Sequence, residues 1–154
     1  MSSTKPSTKT IILGADHAGF ALKAKLAEYL AQKGIDVMDV GCHTEASVDY
    51  PCVAEDFANA MLEKKAEKGV ICCGSGVGVS IGVNRFPHIR AVLASDETTA
   101  RLSRQHNDAN VLCLGARLIA PELAFNILQT WLDTPFEGGR HQKRVDQLTQ
   151  LNLS

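Results

Sequence analysis

Apolar residues along this chain follow two spacings that take turns. Thr10 to Ala15 (TIILGA) is a short unbroken apolar run, the pattern of a buried strand. Phe20 to Lys33 then places Phe20, Leu22, Leu26, Tyr29 and Leu30 near helical spacing, and Gly34 suits a C-terminal stop. Asp36 to Val40 predicts a second strand. Pro51, at a favoured first-turn position, opens a helix running to about Lys65. Gly69 to Cys73 (GVICC) is a third strand, and the glycine-rich turn after it leads into a short helical stretch that Pro87 must end. Arg90 to Ala94 and Val111 to Leu114 read as the fourth and fifth strands, with helices over Glu97 to His106 and Pro121 to Leu132.

Continuous apolar strands separated by helices predict an α/β fold, a three-layer αβα sandwich around a five-stranded parallel sheet covered on both faces. Beyond Pro135, a Gly-Gly break leads into a polar helix over 141–152 that carries Val145, Leu148 and Leu151. Three apolar positions at that spacing make a narrow stripe, which suits a second subunit as its packing surface. Residues 1–9 are Ser/Thr/Lys-rich and read as a disordered tail ahead of a single domain over 10–154.

Ligands of an open parallel sheet sit outside the carboxyl ends of its strands. The residues just past each strand are therefore informative. After the first comes Asp16-His17-Ala18-Gly19, after the third Cys73-Gly74-Ser75-Gly76-Val77-Gly78, after the fourth Ser95-Asp96, and after the fifth Gly115-Ala116-Arg117. An acid, an imidazole, a thiol, a hydroxyl, a flexible amide-rich loop and a guanidinium are thus predicted along one edge.

Composition narrows the function classes. With 154 residues, 45% hydrophobic and 21% charged, the chain is globular and of one-domain size. A net charge of -1 gives no broad field for nucleic acid or an anionic membrane, so any anion site must be local. No apolar run approaches the roughly 18 residues of a membrane span, and the first nine residues lack the apolar centre of a secretory signal. Five cysteines without disulfide-framework spacing suit a reducing, cytoplasmic compartment.

In the loop Gly74 to Gly78, glycine at every second position lets the backbone approach a ligand and turn its N–H groups inward. With a helix N-terminus behind it, such a loop holds a phosphate or a developing oxyanion, although a plain strand-to-helix turn is the bland alternative. It is not a Walker loop, since no Lys-Ser/Thr ends it. A dinucleotide site with Asp96 on the ribose fits less well, because the spacing is Gly-x-Gly-x-Gly and Pro87 cuts the helix short. Cys73, at a strand end ahead of a helix N-terminus, sits where local dipoles favour thiolate, and alternation points Cys72 to the opposite face. Asp16-His17 reads either as a helix cap with a solvated imidazole or as an acid–base and anion pair. Within His106-Asn107-Asp108-Ala109-Asn110, only His106 and Asn107 look like more than turn formers. Arg140 and Arg144 share a helix side, suited to clasping a phosphate or simply to facing solvent. Cys42, His43 and Cys52 match no standard zinc spacing.

Five stretches together resemble the ribose-5-phosphate isomerase B family of sugar-phosphate isomerases, which includes enzymes acting on galactose 6-phosphate and allose 6-phosphate. They are Gly14 to Gly19, Asp49-Tyr50-Pro51, Cys73 to Gly78, Ser103 to Asn110 and Gly138 to Arg144, in order over residues 10 to about 150. Some members carry a glutamate base in the glycine loop where this chain has Val79, so the chain is similar to the cysteine-dependent members. The resemblance implies a Rossmann-like fold, no metal or organic cofactor, and a homodimer, or a pair of dimers, whose sites draw on both subunits. It further implies ring opening by His106 with Asp16, and proton transfer through a cis-enediolate with Cys73 as base. Amides of Ser75 to Gly78 would receive the enediolate charge, and the Ser75 hydroxyl would carry a proton between substrate oxygens. Tyr50 and Asn107 would hold the sugar, with Gly74, Gly76, Val77 and Gly78 lining it. His17, Arg117, Arg140 and Arg144 would hold the phosphate. Two rival classes stay open at this point, a nucleotide-binding oxidoreductase and a non-catalytic phosphosugar-binding domain, as does five-carbon against six-carbon substrate.

Overall fold

The structure, a computed structural model, describes residues 10–151. The disordered tail expected over 1–9 lies outside the described residues, as does the last residue of the helix expected over 141–152. Five strands form one sheet: β1 (Ile11–Ala15), β2 (Val37–Asp39), β3 (Lys68–Cys73), β4 (Ala91–Leu93) and β5 (Val111–Gly115). Their order is β2-β1-β3-β5-β4, and every pairing is parallel. The helices are α1 (Phe20–Gln32), α2 (Tyr50–Glu63), α3 (Val77–Val83), α4 (Glu97–Asn107), α5 (Pro121–Asp133) and α6 (Arg140–Gln150). Among the described residues no helix is long and apolar enough to cross a membrane.

The face that a helix covers is set by the direction in which the chain crosses the sheet. Right-handed crossovers require opposite faces for opposite directions of travel. The steps β1 to β2 and β4 to β5 go one way, and their helices α1 and α4 pack with α5 on Leu13, Val70, Leu112 and Leu114. The steps β2 to β3 and β3 to β4 go the other way, and α2 and α3 pack on Ile12, Ile71, Val111 and Cys113. Strand alternation divides the adjacent cysteines between these layers: Cys72 lies in the first and Cys73 in the second.

Element ends have local causes. Gly34, at φ +75, closes α1 in a Schellman motif: its N–H donates to Ala31 O at 3.0 Å and that of Ile35 to Leu30 O at 3.0 Å. The edge strands are shorter than expected. The expected 36–40 and 90–94 shrink to three residues each, because β2 and β4 pair on one side only. Val40 and Ala94 still hold single bonds to Leu13 O and Cys113 O. The C-terminal stripe divides as well. Val145 is buried within its own chain, while Leu148 and Leu151 stay exposed.

Candidate active site

The carboxyl ends of β1, β3 and β5 meet where the strand order reverses, and the first group of candidate residues stands there. Cys73 is the last residue of β3, and its Sγ accepts the Gly76 N–H at 3.1 Å. Gly76 makes that bond possible by adopting φ +79, a left-handed conformation open mainly to glycine. Ser75 Oγ accepts the Val77 N–H at 3.2 Å. Two of the amides expected to face substrate oxygen are therefore engaged by the loop's own sulfur and hydroxyl. The Ser75 and Gly78 N–H groups have no partner among the described residues. Burial pushes the neighbouring Cys72 thiol far up, the charge of Cys73 adding to the effect, so Cys72 stays neutral. The Cys113 thiol is likewise raised by burial.

Other candidates close around this loop. Tyr50 opens α2, and its ring lies against Gly78, where a Cβ would come within 2.9 Å of Tyr50 Cε1. Arg117 donates its backbone N–H to Gly74 O at 2.9 Å, and Nη1 lies 3.2 Å from where a Gly74 Cβ would stand. Asp16 donates its N–H to Cys72 O at 3.1 Å, which ties the end of β1 to that of β3. Its Oδ1 caps the next turn, accepting from Ala18 N at 2.9 Å and Gly19 N at 3.0 Å. His17 Nδ1 accepts the Val48 N–H at 3.1 Å, so Nε2 is the nitrogen left to donate from the neutral ring. Lys23 was missed in the sequence. Wholly buried, it pairs with Asp39 at 2.7 Å and donates to Cys42 O, fixing the start of the segment that carries Val48 and Tyr50.

His106, Asn107, Arg140 and Arg144 are elsewhere. Helix α4 runs back from the carboxyl edge of the sheet to its amino edge, about 16 Å for eleven residues. Its end adjoins the strand starts: Asn110 O accepts the Gly69 N–H, and Asn110 N–H donates to Arg90 O, both at 3.0 Å. Gly69 and Cys73 are separated by about 13 Å of strand. One chain therefore does not bring His106 and Asp16 together.

This amino-edge region is built by side chains. Buried Arg104 donates from Nη1 to Asp108 Oδ1 at 2.8 Å and Ala109 O at 2.7 Å, and from Nε to Thr134 O at 3.2 Å. Asp108 takes φ +48 to end the helix, and Asn110 bonds to Arg90 N–H and His88 O through its side chain. Most of the motif from Ser103 to Asn110 thus aims His106 and Asn107. The His106 ring stacks on that of His141, centroids 4.6 Å apart, and His141 Nε2 is 3.5 Å from Glu137 Oε1. Glu137 carried no signal in the sequence. Arg140 and Arg144, on the first turns of α6, are exposed.

The dinucleotide reading loses its acid. Both carboxylate oxygens of Asp96 are taken by Thr99, so this residue is the cap of α4.

Residues 11–148 match the ribose/galactose isomerase family. This chain belongs to that family. Ribose-5-phosphate isomerase B of Escherichia coli K12 is 44% identical to this family member over 143 residues, which cover 93% of this chain and 96% of the relative. The ribose 5-phosphate isomerase of Thermotoga maritima superposes with a TM-score of 0.89 at 46% identity, covering 92% of this chain and 98% of the other. Ribose-5-phosphate isomerase B of Mycoplasma genitalium, solved with bound ribulose-5-phosphate, gives a TM-score of 0.87 at 37% identity, covering 92% and 94%. The expected Rossmann-like parallel α/β fold is the fold found.

Proposed function

We propose that this family member interconverts ribose 5-phosphate and ribulose 5-phosphate, with Cys73 as the carbon base, in sites that each combine the carboxyl edge of one subunit with the amino edge of another. The observation that carries the reading is the Cys73 sulfur, held 3.1 Å from a peptide N–H at the head of a loop with further unpartnered N–H groups. Such a loop offers its N–H groups to the sulfur before substrate binds and to an oxyanion afterwards.

In the furanose, His106 gives a proton to the ring oxygen while Asp16 takes that of the anomeric hydroxyl. The bond from C1 to the ring oxygen breaks onto that oxygen and leaves an aldehyde. The Cys73 thiolate then removes the C2 proton, the C–H pair becomes the C1–C2 double bond, and the carbonyl pair moves to O1. The Ser75 hydroxyl passes the O2 proton to O1, and the thiol returns its own proton to C1, forming the ketone at C2. The N–H groups of Ser75 and Gly78 stabilise the enediolate, each such donor contributing roughly 3–4 kcal/mol to the transition state. Tyr50 and Asn107 hold the sugar. His17, Arg117, Arg140 and Arg144 hold the phosphate, with the α6 N-terminus behind the last pair.

Two copies are required because the acid and the base lie at opposite edges. A two-fold axis perpendicular to the strands reverses their direction, setting the carboxyl edge of one sheet beside the amino edge of the other, twice. A surface suited to this association runs beside the edge strand β4. It is a cleft of about 920 Å³ lined by Phe86, Ile89, Leu93, Asn107, Leu148 and Leu151 among others. A thiolate base needs a reducing compartment, which suits a cytoplasmic enzyme with its five cysteines free.

The test is a coupled assay of ribose 5-phosphate, allose 6-phosphate and galactose 6-phosphate side by side, with EDTA present. Turnover of the pentose phosphate above both hexose phosphates is expected. A preference for a hexose phosphate corrects the substrate, and turnover of none of them overturns the reading.

A further inference from the structure

Three potential metal ligands converge at the amino edge. His106 on the last turn of α4, Glu137 in the connecting segment and His141 on the first turn of α6 bring one ligand atom each within 4.8 Å of one another. Two imidazoles and a carboxylate are a common set for a catalytic-type zinc site, with bonds near 2.0–2.2 Å. Tetrahedral geometry at such lengths spaces neighbouring ligand atoms by about 3.4 Å. His141 Nε2 and Glu137 Oε1 already stand 3.5 Å apart. The third ligand is the half-exposed His106 ring, which stacks on His141 and has a ligand nitrogen within 4.8 Å of the other two ligand atoms.

The site is built rather than incidental. The His141 side chain is buried, which limits its freedom before a cation arrives. The Glu137 N–H donates to Gln105 O at 3.1 Å, and Arg104 Nε donates to Thr134 O, so the connecting segment is fastened to α4 at two points. The neighbouring Arg140 is exposed to solvent, which screens its repulsion of a cation, while Glu137 supplies the opposite charge.

We propose that His106, Glu137 and His141 bind a late first-row divalent cation of the Zn²⁺ or Co²⁺ type, and that occupancy inhibits the isomerase by removing His106 from acid–base work. Imidazole with carboxylate suits these ions over Mg²⁺ or Ca²⁺, which prefer oxygen-only shells. The binding stands on geometry alone. The inhibition rests on the reading of His106 as the ring-opening acid.

Co²⁺ is titrated into the full-length protein while its visible d–d absorption is followed, in the wild type and in Cys73→Ala, Glu137→Gln and His141→Gln. The expected result is a spectrum without thiolate charge transfer, unchanged in Cys73→Ala and weakened at least about tenfold in Glu137→Gln and His141→Gln. A spectrum lost in Cys73→Ala, or no binding at all, overturns the site. In a second arm Zn²⁺ is added to the isomerase assay and then removed with EDTA. Wild-type activity is expected to fall and recover, and Glu137→Gln, with ordinary basal activity, to be at least about tenfold less sensitive. Binding at the predicted residues without inhibition overturns the regulatory half. Absence of isomerase activity even in EDTA is instead a failure of the functional reading, and the cobalt arm still decides the site.

Discussion

The two edges of the sheet are made of different material. At the carboxyl edge the candidate side chains are held by main chain: the Cys73 sulfur rests on the Gly76 N–H, Tyr50 and Arg117 lie directly over glycines, and Asp16 is bonded to backbone N–H groups. At the amino edge they are side chains held by side chains, with Arg104 joining Asp108, Ala109 and Thr134, and His106 stacked on His141. A backbone-built site is rigid and small, suited to holding charge on a reacting oxygen. A side-chain-built one offers long cationic and proton-bearing groups that reach across to another surface. In the proposed mechanism base and oxyanion support belong to the first kind, while ring opening and phosphate capture draw on both, through Asp16, His17 and Arg117 at one edge and His106, Arg140 and Arg144 at the other.

The sharpest way to break this division is to remove the sulfur. Cys73→Ala is expected to lower kcat by about 10²–10⁴, the usual contribution of one general base, while substrate binding persists. Kinetics with ribose 5-phosphate and a binding isotherm for a non-reacting sugar phosphate measure the two effects. A near-normal kcat removes the thiol from the chemistry.

Next in size is the double change Arg140→Ala with Arg144→Ala. Each lost charged contact is worth about 1.5–3 kcal/mol, so KM should rise at least tenfold with a smaller change in kcat. An unchanged KM would return these arginines to the status of a solvated helix face.

The amino edge is also expected to be the more fragile in stability. Arg104→Met removes three side-chain hydrogen bonds and leaves Ala109 O short of a partner at a buried turn, costing roughly 2–3 kcal/mol. For a chain of this size that lowers Tm by roughly 5–10 °C. Activity at low temperature should fall more than folding does, since His106 loses its placement. If calorimetry finds Tm unchanged, the Arg104 network does not hold that edge together.

The same contrast explains how much of the molecule could be read from the sequence. Glycines at 74, 76 and 78, an Asp-His pair and a Cys at strand ends are short-range signals, and the carboxyl-edge rule gathers them without coordinates. The sequence offers His106 and Arg140 as candidates for chemistry, but not their distance from Cys73. The length of α4 was the available signal, since a helix of eleven residues carries its last turn back across the sheet. Arg104 was passed over because an arginine on a polar helix ordinarily faces water. Glu137 sits in an irregular stretch after Pro135, where no periodicity marks a direction. The short edge strands could not be read because apolar runs carry no record of which strands pair on one side only.

The most modest effect discriminates best between a site shared by two chains and a site within one. Cys73→Ala and the Arg140→Ala, Arg144→Ala variant, each at least about tenfold below wild type at low substrate, are mixed in equal amounts under conditions that let subunits exchange. Random reassortment makes half of the dimers mixed. In a mixed dimer with shared sites, one site collects both defects and the other collects none. Activity at low substrate should therefore climb to about a quarter of the wild-type value, only fourfold below it. If each site lay within a single chain, every site would keep one defect and mixing would restore nothing. The edges of the sheet would then need some other route to each other, and the strand geometry that holds them about 13 Å apart leaves none within one subunit.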